Sequence, residues 1–228
     1  MNDKELVAFE AAKLAKNGMV IGLGTGSTAN YFIEHLAKRQ VEEGLSISTV
    51  ASSTVSAIKA HSYGLKVVSI AELKRIDLYV DGADEITPNL SLLKGRGQDL
   101  VMEKLLAKAA DQFIVVADKS KLVSRIGEKF IIPIEVTPGA WQMVKHQLEQ
   151  HGAEGDIRLN AGQDNVAISA YGSYILDMRF PASINDAALN TLLNNTPGIV
   201  EHGVFYGIAS QVLIADNGNN EFLADTAH

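Results

Sequence analysis

The sequence predicts an α/β protein, a parallel sheet flanked by helices and joined to a smaller α+β domain. Three observations predict it. Short apolar runs alternate with helical patterns over residues 1–130 without hairpin turns between them, the pattern of parallel strands crossed over by helices. From Ile131 the rhythm changes to strand, helix, strands, helix, strand, an order close to the ferredoxin-like split βαβ. The 228 residues, 46% hydrophobic and 21% charged, suffice for one large core or two small ones.

Asp3 is placed to cap a first helix, whose apolar Val7, Ala11, Leu14 and Ala15 follow helical spacing and which Asn17-Gly18 stops. Met19–Leu23 is a short apolar strand that breaks into Gly24-Thr25-Gly26-Ser27-Thr28 and then a helix through Phe32, Ile33 and Leu36. Further βα units read at Ile47–Ala51 with Thr54–Tyr63, and at Lys66–Ser69 with a turn at Ala71–Lys74. Strands follow at Leu78–Val80 and Phe113–Ala117. The second half reads as strand Ile131–Val136, helix Gly139–His151, strands near Ile157, Val166 and Tyr174, helix Asn185–Asn194 and a strand near Ile199. Val204–Ala215 is expected to return to the first sheet, so the domains are placed at 1–130 plus 204–228 and at 131–203.

Composition narrows the function. With 20 Lys and Arg against 27 Asp and Glu, the net charge of −7 argues against a nucleic-acid partner. The uncharged stretch Val204–Ala215 is far short of the roughly 20 residues that span a bilayer, and the charged N-terminal turns lack the apolar core of a secretory signal. With no Cys there is no disulfide framework, Cys-ligated metal or thiol nucleophile, and a cytoplasmic setting is expected.

Four constellations can carry chemistry. Gly24-Thr25-Gly26-Ser27-Thr28, between strand and helix, reads as a phosphate cradle: glycines allow close approach, the helix start offers free N–H groups, and hydroxyls add donors. It lacks the Lys of a P-loop and the last Gly of a dinucleotide fingerprint. Asp81-Gly82-Ala83-Asp84-Glu85 follows a strand end, where ligands of open parallel sheets sit, although an Asp there can also merely cap a turn. Lys94-Gly95-Arg96-Gly97 reads as a ligand-approaching loop with Lys94 as the committed charge, while Arg96 either adds a second cation to the Asp81 and Asp84 region or, the favoured reading, points to solvent. In the helix that follows, Glu103 neighbours Leu100, Leu106 and Ala107 and interrupts the apolar face, a setting that raises a carboxyl pKa and suits a general base. Ala117-Asp118-Lys119-Ser120-Lys121 closes another strand, from whose end Lys121 could reach a phosphate, although a lone Lys in a loop more often faces solvent. The six His show no metal-ligand spacing.

In this order and at these separations, the segments resemble ribose-5-phosphate isomerase of the type A family. The resemblance rests on Gly24–Thr28, Asp81–Glu85, Lys94–Gly97, Glu103-Lys104 and Ala117–Lys121, with Ile132–Val136 and Pro197–Val200 as further landmarks, and covers nearly the whole chain. It implies a Rossmann-like domain plus a ferredoxin-like domain, a homodimer or homotetramer, and cofactor-free, metal-free interconversion of D-ribose 5-phosphate and D-ribulose 5-phosphate. It implies Glu103 as the catalytic base and Asp81, Asp84 and Lys94 as the groups holding the reacting end of the sugar. Thr25, Gly26, Ser27, Thr28, Gly82, Ala83, Gly95, Arg96, Gly97, Lys121 and Lys4 are implied to line the substrate. Arg96, where family loops often carry glycine, and Tyr171-Gly172-Ser173, where many carry an asparagine-glycine turn, depart from the pattern.

The expected chemistry is removal of a proton from C2 and its return to C1 through a cis-enediol, with one carboxylate serving both carbons. The alternatives are a metal-dependent hydride shift, a Schiff-base aldolase through Lys94, and a non-catalytic sugar-phosphate-sensing domain. A regulator of that last kind needs a DNA-binding segment and basic charge, and has no use for Glu103.

Overall fold

The structure, a computed structural model, describes residues 2–223. Chain order begins with α1 (Asp3–Ala12), β1 (Val20–Leu23), α2 (Ser27–Glu43), β2 (Ser48–Ala51), α3 (Thr54–Ser62) and β3 (Ile76–Asp81). Two very short strands follow, β4 (Glu85–Ile86) and β5 (Leu92–Leu93), then α4 (Leu100–Ala109), β6 (Ala110–Asp118) and β7 (Ile132–Val136). The remainder is α5 (Trp141–Glu149), β8 (Glu154–Ile157), β9 (Tyr174–Arg179), α6 (Asp186–Asn195), β10 (Ile199–His202), β11 (Val204–Phe205), β12 (Gln211–Asp216) and β13 (Asn219–Leu223).

The chain divides into two compact units. The first runs up to Ala83, resumes at Met102–Lys121 and takes in the chain from Ile208. Its sheet has the order β13-β12-β6-β3-β1-β2, parallel except for the antiparallel β12–β13 pair. From β1 the chain steps outward to β2 and then returns to the other side of β1 as β3, so strand order reverses between β1 and β3. At such a switch point the loops leaving the carboxyl ends of the two strands diverge and leave room for a ligand. The core packs Val7, Ala8, Ala11 and Ala12 of α1 and Phe32, Ile33 and Leu36 of α2 against Ile21, Leu23, Leu78, Val80, Ile114 and Leu213 of the sheet. Each is fully or almost fully buried, which for side chains of Val, Leu, Ile or Phe size contributes about 1.5–3 kcal/mol apiece.

The second unit comprises Asp84–Val101 and Leu122–Gly207. The expected domain 131–203 lies within it, and 84–101, 122–130 and 204–207 pack with it too. Its four-stranded antiparallel sheet has the order β10-β7-β9-β8, the 4-1-3-2 arrangement of a ferredoxin-like split βαβ. α5 and α6 contribute Val144, Leu148, Leu189 and Leu193 to its core. A further three-stranded sheet joins β11, β5 and β4. Among the described residues no helix is long and apolar enough to cross a membrane.

Several expectations need correction. Asn2, not Asp3, caps α1 by accepting from the Glu5 N–H; Asp3 reaches instead to the N–H groups of Asn217 and Gly218. Lys66–Ser69 does not form a strand: Val67 makes only an isolated parallel bridge to Thr49, because Ser69 then caps a 3₁₀ turn at Ile70–Glu72. Val166 likewise makes only a bridge to Leu159, since Asn160 and Asp164 close a polar turn between them. Hairpins are present after all. β4 and β5 pair antiparallel, and β12–β13 turns through Asn217-Gly218, both at positive φ, the geometry that suits a two-residue hairpin. Val204–Ala215 is split: β12 joins the first sheet beside β6, whereas β11 pairs with β5.

Candidate active site

The loop after β1 and the end of β3 meet at the switch point. Gly24 N–H donates to the Val80 carbonyl at 2.9 Å, and a Cβ on Gly24 would stand 2.1 Å from Asp81 Oδ1, so only glycine lets the loop pass so close to that carboxylate. Asp81 is fully buried, and Oδ1 accepts from the Thr25 N–H (3.1 Å) and Gly82 N–H (2.7 Å). Oδ2 accepts from the Tyr79 hydroxyl at 2.5 Å. Tyr79 is itself fully buried and stacked on Phe113 with ring centroids 5.0 Å apart. Burial, reinforced by the negative charges of Asp81 and Glu103, pushes its phenol well above the usual range, so Tyr79 remains a proton donor.

Thr25 directs its hydroxyl into a serine cluster, 2.8 Å from Ser52, 2.7 Å from Ser53 and 3.1 Å from Ser56. Ser53 caps α3 by accepting from the Ser56 N–H, and the Ser56 hydroxyl donates to the Gly24 carbonyl. The cluster thus fixes the glycine loop from beneath. Beyond it Gly26 is the N-cap of α2, with Ser27 and Thr28 in the first turn. Lys4 donates to Ser27 Oγ at 3.0 Å. Burial raises the Asp118 carboxyl, but bonds from the Ser120 hydroxyl and N–H and the charges of Lys121 and Lys4 outweigh it and hold Asp118 below the usual carboxylate range. A helix start, Ser27, Lys4 and Lys121 therefore share one neighbourhood, with Asp118 balancing the lysines.

Glu103 occupies the apolar face of α4 and is buried, as is Lys104 beside it. Its negative charge adds to the rise of the Tyr79 phenol.

Of the remaining predicted residues, Ala83 closes the first stretch of the first unit, and Asp84, Lys94, Gly95, Arg96 and Gly97 belong to the second. Asp84 N–H donates to the Leu93 carbonyl, and Lys94 N–H to that of Gly203. The Lys94 side chain is buried, with its ammonium 5.7 Å from the Phe205 ring centroid. Arg96 does not simply point to solvent: its guanidinium lies 4.1 Å over the Phe130 ring, with Nη1 3.6 Å from Asp84 Oδ1, and its side chain is 47% exposed. Glu85, the last residue of the acidic motif, is fully buried and accepts from the N–H groups of Gly127, Lys129 and Phe130, which makes it a tie for that segment.

Tyr79, Ser52, Ser53, Ser56 and Asp118 had no place in the predicted set. Tyr79 was readable, because two residues before Asp81 on one strand puts both side chains on the same face. The serines carry no local signal. No group of three or more His, Cys, Asp or Glu among the described residues is arranged to hold a metal ion.

Residues 48–219 match the family model described as ribose 5-phosphate isomerase A (phosphoriboisomerase A). The chain belongs to that family. Ribose-5-phosphate isomerase A of Methanothermobacter thermautotrophicus is 44% identical over 213 residues, 93% of each chain. That of Thermococcus kodakarensis is 42% identical over 212 residues, 92% of this chain and 93% of its own. Among solved structures, ribose 5-phosphate isomerase A of Methanocaldococcus jannaschii superposes with a TM-score of 0.91 at 39% identity, covering 97% of both chains. A D-ribose-5-phosphate isomerase in complex with phospho-erythronic acid gives 0.93 at 37% identity, covering 98% of this chain and 100% of the other. Members of the family thus share the whole fold with this chain, both units included.

Proposed function

We propose that the protein interconverts D-ribose 5-phosphate and D-ribulose 5-phosphate through a cis-enediol, with Glu103 as the base. The observation that carries this reading is the carboxylate of Glu103 buried on α4 in a chain of this family, together with the buried Tyr79–Asp81 pair at the switch point. A buried carboxylate with few competing waters is suited to take the C2 proton and return it to C1. Lys4, Ser27, Thr28, Lys121 and the start of α2 hold the phosphate, whose binding energy aligns the reacting end. Lys94 supplies positive charge where negative charge develops on the sugar oxygens, and Asp81 and Asp84 accept hydrogen bonds at the reacting end, with Gly82, Ala83, Gly95 and Gly97 supplying close backbone and Arg96 restraining Asp84. The phospho-erythronic acid held by the related isomerase supports this chemistry, since a planar carboxylate on a phosphorylated sugar chain resembles an enediolate. The working form is a cytoplasmic homodimer or homotetramer.

The test is purified protein with ribose 5-phosphate deuterated at C2, reading both ketose formation and label. Ketose should form with a primary isotope effect when chemistry limits the rate, and deuterium should wash in part into solvent, because a carboxylic acid exchanges during the lifetime of the enediol. Complete transfer of deuterium to C1, together with activity lost in chelator and restored by a divalent metal, sinks the reading in favour of a hydride shift.

A further inference from the structure

The loop that follows Lys94 is held by its carbonyls. Arg158 Nη1 donates to the carbonyl of Arg96 at 3.0 Å and to that of Gly97 at 2.9 Å, and the Ala170 N–H donates to the carbonyl of Gln98 at 2.9 Å. Three successive carbonyls are thus satisfied by one stretch of the second unit, at 158–170. The guanidinium that binds two of them is itself fixed, since its Nε and Nη2 meet the two oxygens of Asp177 at 2.7 and 2.6 Å in a bidentate pair. Both side chains are less than a fifth exposed. The Arg158 backbone is anchored as well, its N–H donating to Ile175 and its carbonyl accepting from Ala167.

This arrangement uses what distinguishes arginine. Its planar fork can grip a carboxylate with one edge while the remaining nitrogen serves acceptors on the other side, which a lysine ammonium cannot do with fixed direction. The loop needs such a restraint, because Arg96, Gly97 and Gln98 are all exposed and Gly97 has no side chain to pack.

We propose that Arg158, oriented by Asp177, is a positioning residue that fixes the Lys94–Gln98 loop for turnover. The inference rests on the reading that Lys94 holds the reacting end of the sugar. Arg158 touches no substrate in this role; it sets where the backbone beside Lys94 can go.

The experiment compares Arg158→Ala, Arg158→Lys and Lys94→Met, using ribose 5-phosphate as substrate and inorganic phosphate as competitive inhibitor. Arg158→Ala should lose about tenfold or more in kcat/KM, chiefly through kcat, with phosphate inhibition unchanged within about twofold because the phosphate residues lie elsewhere. Millimolar guanidinium should restore part of the lost kcat with saturation, and Arg158→Lys should fall between parent and Ala. If Arg158→Ala fails to fold, Arg158→Lys carries the test, a partial kcat loss with unchanged phosphate inhibition supporting the proposal. Parental kcat/KM in Arg158→Ala, or in Arg158→Lys where Ala does not fold, while Lys94→Met is disabled, overturns the proposal and leaves the Lys94 reading standing. A loss that guanidinium does not relieve and that weakens phosphate inhibition in parallel means a general structural defect and also overturns it. Full activity in Lys94→Met removes the loop from the reaction and the proposal with it.

Discussion

The Tyr79 hydroxyl donates a 2.5 Å hydrogen bond to Asp81 Oδ2 from two residues earlier on the same strand. Strand alternation places both side chains on one face, and their burial makes the bond a charge-assisted one in a low-dielectric setting. Tyr79→Phe keeps the stack on Phe113 and removes only the donor. It should lower the unfolding free energy by about 1.5–3 kcal/mol, the range for hydrogen bonds to charged groups. Urea denaturation checks this, with the slope unchanged and the midpoint moved down.

Glu103→Gln keeps shape and hydrogen-bonding capacity and removes basicity. The expected result is a kcat lower by roughly 10²- to 10⁴-fold with a smaller change in KM, in steady-state kinetics on a protein of parental thermal stability. Near-parental kcat would assign the proton transfer to another group.

Thr28 and Lys121 are proposed to hold the other end of the substrate. Thr28→Ala and Lys121→Ala should both raise KM and weaken inhibition by inorganic phosphate with a smaller effect on kcat, because the phosphate is remote from the reacting carbons. Unchanged phosphate inhibition in both would place the anion elsewhere.

Glu135 lies fully buried in β7, opposite Glu201 in β10. Burial pushes its carboxyl up from 4.5, against opposing contributions from Ser169, Ser173 and the Val101 N–H. A group whose folded pKa is raised contributes its full stability below the unfolded pKa and loses it as pH rises through the folded value. The protein should therefore lose stability from this site as pH climbs above the ordinary glutamate range. Glu135→Gln should be more stable than the parent at neutral pH and nearly equal to it at pH 4, as read from denaturation midpoints at the two pH values.

Sequence carries the fold well where one local pattern decides it. The apolar runs ending in Leu23 and Val80 mark the two strands of the switch point, and Gly24 and Asp81 follow them directly, so both halves of the site are readable from strand ends. It carries less where pairing depends on distant chain. Lys66–Ser69 has the composition of a strand, yet its fate is decided by a bridge to Thr49 and by the Ser69 cap. Asn217-Gly218 is a strong hairpin signal by itself, but it follows an apolar run whose place beside β6 comes from contacts across the chain. Ser52, Ser53 and Ser56 look like ordinary turn and cap residues until Thr25 arrives among them from β1. Arg96 shows the same limit: the aromatic ring beneath it and the carboxylate beside it come from Phe130 and Asp84, neither adjacent in sequence.

Asp3 and Lys4 are consecutive, yet they serve opposite ends of the polypeptide's path. Asp3 accepts from Asn217 and Gly218 at the tip of the last hairpin, while Lys4 reaches Ser27 at the start of α2. One helical turn therefore links the hairpin to Lys4, the lysine proposed to hold the phosphate. A genetic screen scored on phosphate affinity would register substitutions at Asn217 and Gly218 alongside those at Lys4, and double variants across this turn would be non-additive. On that proposal the hairpin would share in the inheritance of substrate affinity without touching substrate.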